Sequence, residues 1–187
     1  ITDSLVESSN TKLLIKEKCL PEILSAVEIL VDAFKSGNKL LLCGNGGSAA
    51  DAQHLAAEFS GRFYLNRRAL PAEALHVNSS YLTAVANDYS YEVIYARLVE
   101  GICEAGDVLV GLSTSGNSGN IVKAFEAARA KGVVTIGLTG EGGGKMAELS
   151  DYQFAVPSKT TPRIQESHIL LGHIICELVE ARFFKQG

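Results

Sequence analysis

Over residues 2–36, apolar side chains recur at helical spacing: Leu13, Leu14, Cys19, Leu20, Ile23, Leu24, Val27, Leu30, Val31 and Phe34. The spacing predicts a helical arm. Pro21 divides it into two helices, because proline suits a first turn and breaks a helix interior. The arm is apolar on more than one side, more than a lone domain covers by itself, so subunit contacts are expected here. After Gly37 the period changes. Short apolar runs at 39–43, 72–77, 107–112, 133–138 and 152–156 read as strands. Between them, helical patterns cover about 49–60, 80–87, 91–104, 119–131 and 161–184. Strands that alternate with helices imply right-handed βαβ units and a parallel sheet. The second is only weakly apolar, but the near-continuous apolar character of the set fits strands covered on both faces. The expectation is one α/β domain over 1–187: a helical arm at 2–36, then a three-layer, doubly wound sandwich with a five-stranded parallel sheet at 37–187.

Composition narrows the function classes. The 187 residues are 47% apolar and 20% charged, with a net charge of −4. That balance and the lack of Lys/Arg clusters argue against a nucleic-acid partner. The apolar stretch 164–184 carries Glu166, His168, His173, Glu177, Glu180 and Arg182, so it does not read as a membrane span. No secretory signal pattern opens the chain. Cys19, Cys43, Cys103 and Cys176 are scattered without a CxxC. They read as small buried hydrophobes in a reducing, cytoplasmic compartment.

Two polar loops follow strands and lead into helices. The first is Gly44-Asn45-Gly46-Gly47-Ser48. Helix-start N–H groups attract anions, and glycine lets backbone approach a ligand. A turn capped by Ser48 accounts for part of this loop, but three glycines and an asparagine exceed a turn's needs. The formal match to a dinucleotide fingerprint lacks the acidic residue after the second strand, where His76, Val77 and Asn78 stand. The second loop is Ser113-Thr114-Ser115-Gly116-Asn117-Ser118. Its four hydroxyls fit one phosphate held by neutral donors; helix capping needs only one of them.

Candidate acid–base chemistry lies on two helices. His54 and Glu58 are four residues apart, about 40° around one face. The last helix adds Gln165, Glu166, His168 and His173 to an aliphatic run. A carboxylate and an imidazole supply what aldose–ketose isomerisation requires: a base beside two adjacent carbons and a group to serve their oxygens. The same His, Glu, Gln, His set is also suited to one Zn²⁺.

The run from Cys43 through His54, Glu58 and Arg62, with Asn87-Asp88, the 112–118 loop and Arg163 to His168, resembles the sugar isomerase (SIS) domain of the phosphoheptose isomerase family. The resemblance covers nearly the whole chain. It implies a flavodoxin-like SIS fold and isomerisation of sedoheptulose 7-phosphate to D-glycero-D-manno-heptose 7-phosphate, the first step towards ADP-heptose and lipopolysaccharide core. It implies Glu58 as enediol base and His173 as partner acid/base. Ser113, Thr114, Ser115 and Ser118 would hold the phosphate. Asn45, Gly46, Gly47, Ser48, Arg62, Asn87, Asp88 and Gln165 would line the sugar. It further implies one Zn²⁺ per subunit on His54, Glu58, Gln165 and His173, and a homotetramer with sites between subunits. Pro162 departs from the Asp that some members carry before the Arg-Ile-Gln segment. Within the same fold, one rival is a non-catalytic SIS protein that binds a bacterial DNA replication initiator and lacks the glutamate at the position of Glu58. Others are a sugar-phosphate sensor and an isomerase of another sugar phosphate, such as arabinose 5-phosphate.

Overall fold

The computed structural model describes residues 1–184. Helices α1 (Thr2–Lys18) and α2 (Leu20–Lys35) form the arm, and Pro21 falls in the first turn of α2. Then follow β1 (Leu40–Gly44), α3 (Gly47–Ser60), β2 (Ala72–Ala74), α4 (Ser79–Asp88), a 3₁₀ turn at Tyr91–Val93 and α5 (Ile94–Ile102). The chain continues through β3 (Val108–Ser113), α6 (Gly119–Ala130), β4 (Val134–Thr139), β5 (Tyr152–Ala155) and α7 (Thr161–Phe184).

All five strands are parallel, in the order β2-β1-β3-β4-β5. Successive side chains of a strand point to opposite faces. Leu40 and Leu42 of β1 thus join α2, α3 and α7 in one core, while Leu41 and Cys43 join α4, α5 and α6 in the other. This is the expected three-layer sandwich. At Gly111 of β3 a Cβ would lie 2.5 Å from the Phe125 ring, so the glycine admits α6 against the sheet. All four cysteines are buried free thiols.

Several boundaries differ from the sequence reading. The second strand stops at Ala74 rather than Val77. It is an edge strand, and its ladder ends when Val77 N–H turns back to Ala74 O. The helix expected from Tyr91 begins as a 3₁₀ turn and becomes α-helical at Ile94. The α3 helix starts two residues early, at Gly47.

Candidate functional site

The strand order reverses direction between β1 and β3, so the connections leaving their carboxyl ends part and open a crevice. The glycine loop follows β1 and the Ser/Thr loop follows β3. Gly46, the residue before α3, has φ 55° and ψ −121°, a backbone that side-chain-bearing residues avoid. No side chain caps α3, and none caps α6, although Ser118 stands at its N-cap. The Ser118 hydroxyl pairs instead with Ser113 Oγ at 2.9 Å. By contrast, Asn78 caps α4 by accepting from Tyr81 N–H at 3.0 Å. Two helix N-termini without side-chain caps therefore adjoin one crevice, the condition for holding an anion.

The two loops are cross-braced. Asn120 Nδ2 donates to Asn45 Oδ1 (2.8 Å), Asn45 Nδ2 donates back to Asn120 Oδ1 (2.9 Å), and Tyr91 O–H donates to Asn45 Oδ1 (3.0 Å). The buried Tyr95 hydroxyl donates to Gly44 O at 2.5 Å. The Ser/Thr loop is backed by the glycine-rich segment 140–146, through Gly140 N–H to Thr114 O and Met146 N–H to Gly116 O. Beside it lies a cavity of about 330 Å³ lined by Thr114, Ser115, Glu141, Ser158, Lys159 and Thr161. The sequence placed no cation in the Ser/Thr loop; the fold brings Lys159 to the neighbouring wall.

The second part of the site forms where α3 packs on α7. A Cβ on Gly172 would sit 2.5 Å from both Leu55 methyls, so this glycine sets the helix separation. The next residue, His173, meets α3 directly: its Nε2 lies 2.9 Å from His54 Nε2, one ring donating and the other accepting. Glu58 Oε1 is 3.5 Å from His54 Nε2, and donor atoms of His54, Glu58 and His173 all fall within 4.8 Å of one another. The Phe63 ring flanks His173 at 5.9 Å between centroids. Two imidazoles and a carboxylate converging at one point are a donor set that fits Zn²⁺. Asp51, one turn before His54, has its carboxyl pushed up by burial while His54 and His173 pull it down. Gln165 reaches the glycine loop: a Cβ on Gly47 would lie 2.9 Å from its Nε2.

The fold separates other residues that the sequence grouped with these. His168 is buried and bonds Thr139 O at 3.1 Å. Glu166 pairs with Arg163 at 2.6 Å and accepts from Ser8 Oγ at 2.7 Å. Arg62 is exposed, and Asn87 bonds Asp88 at 2.9 Å at the exposed end of α4. No hydrogen bond or ion pair among the described residues joins Arg62, Asn87 or Asp88 to the His–Glu cluster. Asn120, Tyr91 and Asp51 were not singled out from the sequence. Only Asp51 carried a signal there, its place three residues before His54 on one helical face.

The sequence pattern of the SIS domain family matches residues 7–140. A phosphoheptose isomerase of Clostridium acetobutylicum is 53% identical over 173 residues, 92% of this chain and 88% of that protein. The solved phosphoheptose isomerase of Neisseria gonorrhoeae superposes with a TM-score of 0.91 at 40% identity, covering 96% of each chain. That of Francisella tularensis gives 0.93 at 34% identity, over 96% of this chain and 95% of that one.

Proposed function

The chain belongs to the phosphoheptose isomerases of the SIS domain family, enzymes of sedoheptulose 7-phosphate, and on that premise we propose how its residues carry out the reaction. The observation that carries the reading is the convergence of Glu58 from α3 and His173 from α7 within 4.8 Å. The phosphate is held by Ser113, Thr114, Ser115 and Ser118 at the uncapped start of α6. Asn45, Gly46, Gly47, Ser48 and Gln165 line the sugar, and Arg62, Asn87 and Asp88 join them where sites form between subunits. Glu58 removes the proton from C1 of the ketose, giving an enediol, and returns it to C2. His173 moves the hydroxyl proton between O1 and O2, so that the ketose leaves as the aldose with no net gain or loss.

His54, Glu58, Gln165 and His173 would hold one Zn²⁺ per subunit; when bound, the metal supplies Lewis-acid polarisation of the carbonyl. The exposed apolar residues of the arm, among them Leu5, Leu13 and Leu24, support a homotetramer. Four buried free thiols support a cytoplasmic setting, and the product's chemistry a place at the start of ADP-heptose synthesis. The initiator-binding alternative finds no support among the relatives.

The test is Glu58→Gln, assayed by NMR on sedoheptulose 7-phosphate with and without a chelator. Turnover should fall about 10²–10⁴-fold while ligand binding persists. A variant that turns over at the native rate removes Glu58 from the role of base.

A further inference from the structure

The chain leaving α3 passes a buried ion pair before it reaches β2. Arg67 Nε lies 2.7 Å from Glu180 Oε2, and each side chain is only 3% exposed. The Glu180 carboxylate is fully engaged. Its Oε1 accepts from Tyr64 N–H (2.8 Å) and Leu65 N–H (2.7 Å), and its Oε2 accepts from Phe63 N–H (3.1 Å) as well as from Arg67. Burial pushes this carboxyl up, but the bonds from Leu65, Arg67, Tyr64 and Phe63 outweigh it and hold it below the usual range. The Arg67 guanidinium donates to carbonyls at and just past the end of α3: Glu58 O (2.8 Å), Phe59 O (2.8 Å) and Gly61 O (3.2 Å).

A buried charge pair is weak support for stability, because desolvation offsets most of the attraction. The pair's placement suggests another use. Glu180 stands seven residues after His173, about two turns along α7 and about 20° away around it, so both face α3. One end of the network holds the main chain of Glu58 itself. The other end fixes the main chain of Phe63, whose ring lies against the His173 imidazole.

We propose that the Arg67–Glu180 clamp, acting through the Glu58 carbonyl and the Phe63 ring, positions the acid–base pair of the isomerase. The clamp residues touch no reacting atom; they are positioning residues. This rests on the assignment of Glu58 and His173 above. A shift of about 1 Å in a reacting group costs on the order of a hundredfold in rate. A clamp that sets the register of α3 against α7 therefore acts on kcat more than on KM.

The experiment measures kcat and KM on sedoheptulose 7-phosphate, per folded protein, for the native chain and four variants. Glu180→Gln and Arg67→Lys should each lower kcat about tenfold to a hundredfold, with KM within about threefold. Phe63→Leu keeps the main-chain bond to Glu180 but loses the ring, and should lower kcat in the same way. Phe63→Tyr restores a ring and should recover most of the loss, which a merely structural role does not predict. Native kcat in folded Glu180→Gln, or in Phe63→Leu, overturns the proposal. If neither clamp variant folds, the Leu and Tyr pair at position 63 decides it. A native protein without turnover overturns the underlying function instead.

Discussion

His168 shows how burial decides what a titratable residue does. Its ring is wholly enclosed, bonds Thr139 O, and has no partner for Nδ1 among the described residues. Burial pushes its pKa down to about 4, against a partial upward pull from the Thr139 carbonyl. Between pH 6.5 and about 4 the unfolded chain therefore binds a proton that the folded one refuses. The contribution to stability is fully present above the unfolded value and is lost as pH falls through this window, on the order of 3 kcal/mol in all. Urea unfolding at pH values across the window should show native stability falling steeply. His168→Gln, which has no such group, should show a shallower fall; equal slopes would remove His168 as the cause. From the sequence alone, His168 and His173 looked alike, two imidazoles on one apolar helix. What separates them is tertiary: His168 turns to the end of β4, and His173 to α3.

At the scale of elements, the site depends on how closely α3 and α7 approach. Gly172 faces Leu55, and a methyl there has no room beside the Leu55 branch. Overpacking of this kind costs about 1–3 kcal/mol. Gly172→Ala should thus lower the unfolding free energy by that order, and should also lower kcat, because it displaces the adjoining His173. Chemical unfolding together with steady-state kinetics checks both; a loss of stability with unchanged kcat would show that the helix spacing does not set the chemistry. The elements themselves were legible because β1, β3 and β4 are buried on both faces and read as near-continuous apolar runs. Edge strand β2 was overread because it pairs on one side only, and Leu75 continues the apolar run into a turn. The His54–Glu58 pair was legible because a helix brings residues four apart together. The Asn45–Asn120 brace and the Arg67–Glu180 clamp join residues 75 and 113 positions apart. No local period records such pairings.

For the whole molecule, the arm is where one chain leaves apolar surface uncovered. Helix α1 buries only Thr11 and Ile15 against its own chain, while Leu5, Val6, Leu13, Leu14, Leu20 and Leu24 of the arm remain exposed. In the proposed homotetramer this apolar surface is where copies meet. The paired change Leu13→Glu with Leu24→Glu places charges on that surface without touching either core, so the fold should persist. Sedimentation should then show species smaller than the native assembly; an unchanged mass would move the interface elsewhere. Activity adds a second readout. His54, Glu58 and His173 come together within one chain, but among the described residues no hydrogen bond or ion pair joins Arg62, Asn87 or Asp88 to them. If those three complete the sugar site across a subunit boundary, the dissociated variant should keep its fold and its cluster of donors yet lose most turnover. Full activity in the dissociated form would confine the sugar site to a single chain.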